Sequence, residues 1–430
     1  MSAIAVHNRQ QLYTNARRLM RTAIADLKEA PDRRTQETLR ELTYAVIVKG
    51  TTRLNQLAKF LFPWHKAKTA HNVETALSTS LQKAKYEEAE LFHAYAGAAY
   101  DALPRQVFQT YRGKQIIVFD PTTYEKRTRP GKKGRSMEYP SKLKDVQYDR
   151  YPQGYVDVWA GSLLKGRTWL PLARGRFSAQ HPEQLSQNQV EEQVLWDAIR
   201  CVPPDTKVLA IGDRGLGRKA MFTWLQEHDC DGLFRLRRDI NVTFHGRWRN
   251  ILEVAQEVKS LGQTTWREGS AKPIRGQVKL FQAQLTEDDW AGPPITFVVL
   301  LPEGLADPLI LGTTLGATTL QTARAIIHLY EYRWVIETSF ETLKGAFGLE
   351  KFMVRKWKAT ERLLNVVAMA FMLLLLLLHS TQKNVQRLLA QAIQVLKHLA
   401  AYKQLTLGKL REALALDWDE HRETWYALLH

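Results

Sequence analysis

The stretch Ile116–Tyr124, IIVFDPTTY, sets four β-favouring apolar residues directly ahead of an aspartate and a proline. A short β-branched and aromatic run of this kind reads as a buried strand. It delivers Asp120 at its end, where Pro121, lacking an N–H, is expected to stop it. Val208–Gly215, VLAIGDRG, repeats the arrangement, with an apolar run, then Asp213, then a glycine-rich turn. Strand ends in mixed α/β sheets gather ligand groups, because a rigid strand fixes the backbone while the side chain faces an open crevice. Two such aspartates on neighbouring strands suit a divalent cation. An aspartate after a strand is also an ordinary turn former, so a third element must decide.

That element is Tyr330–Lys344, YEYRWVIETSFETLK. On a 3.6-residue helix, Tyr330, Arg333, Glu337, Glu341 and Lys344 lie on one face, while Val335, Ile336, Phe340 and Leu343 pack inward. One reading of the polar ribbon is a solvated face with Arg333–Glu337 and Glu341–Lys344 ion pairs, each adding a few tenths of a kcal/mol. The other is that Glu337 completes a metal site with Asp120 and Asp213, while Arg333 and Lys344 hold phosphates beside it. Three carboxylates bind two hard cations and leave positions for water and phosphate. Phosphodiester cleavage uses two such ions about 4 Å apart to stabilise the attacking and leaving oxygens.

The rest of the chain sets the context. It has 430 residues, suggesting two or three packed units. Sixty-one Lys and Arg against 44 Asp and Glu give a net charge of +17, which points to a polyanionic partner. Cys201 and Cys230 are the only cysteines and no CxxC or Cys/His cluster occurs, so neither a disulfide framework nor a structural zinc is expected, and a reducing cytoplasm fits. The N-terminus has no continuous apolar segment of the signal-peptide kind. Val366–Leu378, VVAMAFMLLLLLL, is shorter than the roughly 20 residues of a membrane span and reads as a buried core helix, so no membrane is expected. The GDRGLG turn lacks the order of a dinucleotide-binding loop and no GxxxxGK[ST] motif exists, so no nucleotide is expected either.

Residues up to about Ala102 are helical in pattern. Within them RELTYAVIVKG, TTRLNQLAKFLFP and HKAKTAHNVETALSTSLQKAK form three segments separated by Gly50 and Pro63. They resemble a helix-turn-helix bundle whose third segment, with Lys66, Lys68, His71 and Asn72, suits a major groove; a plain bundle with solvated lysines fits equally. Three strands, a helix and another strand occupy roughly 111–212, a mainly β insertion follows, and helices resume near Thr319. Asp157, flanked by Val156 and Val158, and Glu341, four residues past Glu337, are near misses for the acidic set.

The spacing Tyr-x2-Arg-x3-Glu-x6-Lys formed by Tyr330, Arg333, Glu337 and Lys344 resembles the YREK signature of insertion-sequence DDE transposases, the insertion sequence 4 family. The similarity extends to the aspartates of IIVFDPTTY and VLAIGDRG, to the β insertion, and in organisation to most of residues 40–380. It implies an α/β fold with an RNase H-like core, interrupted by a mainly β insertion subdomain and flanked by helical N- and C-terminal regions. The implied division is a helical DNA-end-binding domain (1–108), the first part of the catalytic core (109–234), the β-rich insertion (235–316), the second part of the core with the Glu337 helix (317–380) and a helical C-terminal region (381–430). Asp120, Asp213 and Glu337 would be the DDE triad, holding two Mg2+ ions, with Mn2+ as a substitute. Tyr330, Arg333 and Lys344 would contact DNA. The implied reaction is cleavage at the ends of a transposon, in some members through a hairpin, followed by attack of the freed 3′-hydroxyl on target DNA. A homodimer on DNA is also implied, in a prokaryotic cytoplasm.

Further DNA contacts are expected from residues 125–144, with eight basic and two acidic side chains, in particular Lys126, Arg127, Arg129, Lys132, Lys133 and Arg135. Lys351, Arg355, Lys356 and Lys358 are a second basic group, with Trp357 as a base-stacking candidate. Trp248, between Arg247 and Arg249, is read either as a nucleotide contact or as β core. The segments RLLAQAIQVLKHLAAYKQ and KLREALALDWDEHRETW serve either protomer contacts or the core of one chain. Two competing functions remain at this point: a structure-selective nuclease without strand transfer, and a catalytically idle DNA-binding protein.

Overall fold

The computed structural model describes residues 18–25, 27, 30–125, 137–143, 153–182, 185–267, 269, 271–285, 294–304, 307–380, 386, 390 and 406–420. After a helical segment at residues 18–25 come four helices: α1 (Arg33–Lys49), α2 (Leu54–Leu61), α3 (Ala70–Lys83) and α4 (Glu88–Ala102). Local chemistry sets their ends. The Asp32 side chain accepts from the Thr35 N–H at the start of α1, and Gly50, in the left-handed region at φ 56°, closes it. Thr69 caps α3 in the same way, so Lys66 and Lys68 precede that helix and only His71 and Asn72 lie on it.

The strands are β1 (Thr110–Tyr111), β2 (Lys114–Glu125), β3 (Ser141–Lys142), β4 (Gln153–Leu164), β5 (Thr168–Phe177), β6 (Val208–Gly212) and β7 (Asp231–Arg235), then β8 (Asn241–Phe244), β9 (Arg247–Asn250), β10 (Gly262–Trp266), β11 (Ile274–Ala283), β12 (Ile295–Pro302) and β13 (Leu309–Thr313). Eleven of them form one sheet, in the order β10-β11-β12-β13-β7-β6-β2-β4-β3, with β1 on β2 and β5 on β4. Around β2 the sheet runs β5-β4-β2-β6-β7; β5, β4 and β2 pair antiparallel, and β2, β6 and β7 pair parallel. Helix α5 (Gln187–Arg200) links β5 to β6, α6 (Lys219–Glu227) links β6 to β7, and α7 (Ile251–Glu257) follows β9. Ile116–Phe119 and Val208–Ile211 are buried, as parallel strands covered on both faces require.

Three expectations from the sequence are corrected here. Pro121 does not stop β2, which runs on to Glu125 against β4, with Pro121 opposite Val158. Its pairing with β6 ends at Val118, so the proline sits where one side of the strand is already unpaired and no N–H is missed. The described residues of 235–316, expected as a mainly β insertion, hold six strands and one short helix, and apart from the β8–β9 hairpin they do not stand as a subdomain with its own sheet. β13 pairs antiparallel with β7, and β12, β11 and β10 extend the central sheet from there. Tyr330–Lys344 is not one helix. α8 (Leu320–Tyr330) ends at Tyr330, a 3-10 turn spans Glu331–Arg333, and α9 (Trp334–Gly345) carries Glu337 and Lys344.

Helix α10 (Trp357–Leu378) is long and apolar enough to cross a membrane, yet it is buried inside the fold, packed on α1, α3, α4 and β5. α11 (Leu407–Glu420) docks on α1 and α10, where Trp418 meets the Phe60 and Trp64 rings at 5.1 and 5.4 Å. This part of the C-terminal region therefore serves the core of one chain; residues 391–405 and 421–430 lie outside the described set.

A buried polar network joins the sheet to α10. Asp157, which has no partner cue in the sequence, accepts from Arg174 at 2.7 Å and from Arg176 at 2.6 and 3.1 Å. Arg174 also donates to Asn365 Oδ1 at 2.9 and 3.2 Å. Removing one member of such a set leaves uncompensated buried charge, which costs about 3–5 kcal/mol. Asp157→Ala is therefore expected to lower unfolding stability by roughly that amount in a urea titration; a change under about 1 kcal/mol would show that the network contributes nothing net.

Candidate active site

Register brings the two aspartates together. Val118 lies opposite Ile211 in the β2–β6 ladder, and Asp120 and Asp213 follow two residues later on each strand. They therefore stand level just beyond the end of the β2–β6 ladder, Asp120 still within β2 and opposite Trp159 of β4, Asp213 in the turn that follows β6. Gly212 permits this packing: a Cβ there would stand 2.7 Å from Leu216 and 3.2 Å from Phe119.

The α8–α9 junction supplies the other wall. The Tyr330 hydroxyl donates to Asp213 Oδ1 at 3.2 Å. Arg333, at the end of the 3-10 turn, is 3% exposed. Its guanidinium lies 2.5 Å from Glu337 Oε1, 3.7 Å from Asp120 Oδ2 and 3.9 Å from Asp213 Oδ1. Val335, Ile336, Phe340 and Leu343 are buried behind them, as the periodicity requires. The break in the helix matters, because the 3-10 turn changes the angular step between Tyr330 and Glu337 while keeping both on the aspartate side.

Arg333 is fixed from several directions. Its guanidinium lies 4.9 Å from the Trp334 ring centre and 5.8 Å from that of Tyr330. Trp334 in turn is backed by Gly269, in the left-handed region at φ 56°, where a Cβ would come within 2.7 Å of the indole. Arg324 donates to Gln263 O at 2.6 Å, so the added strands β10–β13 hold α8 and its Tyr330 in place.

Electrostatics follow from burial. The Asp120 carboxyl is pushed up to about 8, mainly by desolvation. Arg333 counters that effect, and Asp213, Glu337 and Glu191 add to it. Burial works against the Arg333 charge, yet Tyr330, Asp213, Glu337 and Asp120 outweigh it and hold the cation above its ordinary range. Glu191 has no cue in the sequence. It is a buried residue of α5, held by Gln187 at 2.9 Å and Arg218 at 2.5 Å, and only packing of α5 across the sheet brings it near Asp120.

The other candidate residues scatter. Lys344 donates to Thr123 O at 3.2 Å and pairs with Glu350 at 2.8 Å, not with Glu341, which is exposed. Lys356 pairs with Glu138 at 2.6 Å, and Glu138 also accepts from the Trp357 N–H at 2.7 Å, capping α10. Arg355 and Lys356 line an open cleft of about 1020 Å3 against Arg53 and Asn55 of the helical region, away from the carboxylates. Lys351 and Lys358 are exposed. Trp357 is not a free stacking surface: it packs on His181 at 4.9 Å, Tyr155 at 5.3 Å and the Arg176 guanidinium at 5.2 Å. Trp248 is not β core but 38% exposed on the β8–β9 hairpin. Lys126, Arg127, Arg129, Lys132, Lys133 and Arg135 lie outside the described residues.

The donor set consists of carboxylate oxygens, which suit hard divalent cations. Among the described residues, no three acidic, histidine or cysteine side chains are already arranged to enclose an ion. A guanidinium stands among Asp120, Asp213 and Glu337. The charge and chemistry of the carboxylates fit a hard divalent metal, and the guanidinium is paired with all three in this structure.

Residues 182–373 match the family model of the transposase DDE domain. The match supports a transposase function. It spans Asp213, β7–β13 and the Glu337 helix, and leaves Asp120 outside. The chain is similar to a solved structure described as the piggyBac transposase synaptic complex with hairpin DNA, with 10% identity and a TM-score of 0.42, covering 94% of this chain and 75% of that one. No curated protein matches the chain.

The folded protein holds the Asp120 proton far above 3.8, where the unfolded chain releases it. A raised carboxyl makes its stabilising contribution at low pH and loses it as pH rises toward about 8. In chelator, Asp120→Asn, which has no charge to bury, is expected to lose less stability over that interval than the parent protein, by on the order of 2 kcal/mol. Thermal melts across the pH series measure this, and parallel curves would refute it.

Proposed function

We propose that this protein is a DDE transposase of the insertion sequence 4 type, which binds transposon ends, cuts them and joins the 3′-hydroxyl to target DNA. One observation carries the reading. Two aspartates in matching register on adjacent parallel strands meet, across a single buried arginine, the glutamate of a Tyr-Arg-Glu-Lys series. The strand order β5-β4-β2-β6-β7 supports an RNase H-like core, and the net charge of +17 supports DNA as the partner.

Asp120, Asp213 and Glu337 would hold Mg2+ or Mn2+. When bound, such ions supply Lewis acidity and an activated water or hydroxyl oxygen for phosphodiester displacement. The remaining work belongs to the chain. β2 and β6 fix the two aspartates rigidly, so little reorganisation is needed at the reacting bond. The Tyr330 hydroxyl orients Asp213 by its hydrogen bond. Arg333 and Lys344 provide cations on either side of Glu337; a phosphate entering the crevice meets the guanidinium as a planar bidentate donor. Lys344, tethered to Thr123 O next to the Tyr124 ring, lies along the edge of β2 beyond Asp120. Two protomers on paired ends complete the proposed complex.

The test uses DNA bearing the inverted repeats that flank the gene. Asp120→Asn, Asp213→Asn and Glu337→Gln should each reduce cleavage in Mg2+ by at least roughly a hundredfold to a thousandfold while end binding persists. The parent protein should yield joined product from a pre-cut 3′-hydroxyl donor. Cleavage without joining would make the protein a nuclease. Unchanged cleavage in all three variants would remove the carboxylates from the reaction.

A further inference from the structure

The position of Arg333 has a consequence for how the carboxylate set meets a metal. Among the described residues, its guanidinium is the cation that pairs with all three acids, at 2.5 Å from Glu337, 3.7 Å from Asp120 and 3.9 Å from Asp213. It is buried, so its Coulomb attraction to them is weakly screened. The Arg333 Nε is buried with no hydrogen-bond acceptor, so Asp213 attracts it by charge alone and the grip on that side is loose. Trp334 and Tyr330 support the face of the guanidinium without hydrogen-bonding it. The cation is thus held firmly at Glu337 and weakly at the aspartates. An arrangement of this kind neutralises the acids without sealing the site.

We infer that, in the DNA-free protein, the Arg333 guanidinium competes with divalent cations for Asp120, Asp213 and Glu337, so that metal loads fully only when Arg333 is drawn away. This rests on the proposed reading of the three carboxylates as metal ligands. A phosphate, which arginine binds bidentately and strongly, is the group that would draw it. Metal occupancy would then be coupled to the presence of DNA. Such coupling is reciprocal, and its usual size is about 5–150-fold in affinity.

The experiment is Mn2+ titration of the full chain without DNA, followed by the electron paramagnetic resonance signal of free Mn2+, on the parent protein, Arg333→Gln and Arg333→Gln/Asp120→Asn. Arg333→Gln is expected to bind Mn2+ about tenfold more tightly than the parent, and the added Asp120→Asn to abolish the gain. Guanidinium chloride at low, non-denaturing concentration should weaken binding in an Arg333→Ala variant more than the same concentration of sodium chloride does. A merely structural arginine would not give that difference. Equal or weaker Mn2+ affinity in Arg333→Gln, with binding still dependent on Asp120, overturns the competition and leaves the carboxylate reading intact. Binding indifferent to Asp120 in every variant overturns both. If Arg333→Gln is unfolded without metal because its acids repel, Mn2+ should restore its circular dichroism and melting transition; failure to do so at saturating Mn2+ also overturns the inference.

Discussion

The convergence of Asp120, Asp213 and Glu337 on one buried guanidinium is the constraint on which the rest of the molecule depends. The three acids around the crevice repel one another, and desolvation is the main cause that drives the buried Asp120 carboxyl upward, with the other acids adding to it. A cation among them is what lets the parallel strands β2 and β6 and the α8–α9 junction close around that crevice. Burying a charge is costly unless it is paired. The fold satisfies that requirement here with an internal arginine whose position is set by the 3-10 turn between two helices.

Much of the surrounding architecture serves to keep that geometry. α5 and α10 cover the sheet, and the Asp157–Arg174–Arg176 network ties β4 and β5 to α10 through Asn365. β10–β13 extend the sheet beyond β7 and brace α8, so the added strands act on the site through Trp334 and Arg324 without supplying an acid to it. The helical N-terminal region, α10 and α11 share one packed core, in which Trp418 and Phe60 meet. The cleft between that region and Arg355–Lys356 is a separate feature, lined by none of Asp120, Asp213 and Glu337.

Part of this was legible in the residues. The apolar runs IIVF and VLAI identify buried strands because parallel strands covered on both faces need continuous hydrophobic sequence. The polar stripe of Tyr330, Arg333 and Glu337 follows from helical periodicity, which the short 3-10 turn bends without reversing. Other features were hidden because they depend on partners far away in sequence. Nothing near Pro121 tells that β2 has lost its β6 neighbour by that point and can carry a proline. Trp357 looks like an exposed stacking residue until Tyr155 and His181 pack on it. Asp157 shows no partner until a strand pairing sets Arg176 opposite it.

The sequence by itself determined the strands and helices, the excess positive charge and the three acids with their neighbouring arginine, because these follow from local pattern and side-chain chemistry. Only the tertiary structure decided that Asp120 and Asp213 stand level, that β10–β13 join the central sheet, and that Arg333 rather than Lys344 sits among the acids. Those outcomes depend on strand register and helix packing, which arise from contacts between residues far apart in the chain. No local pattern encodes them.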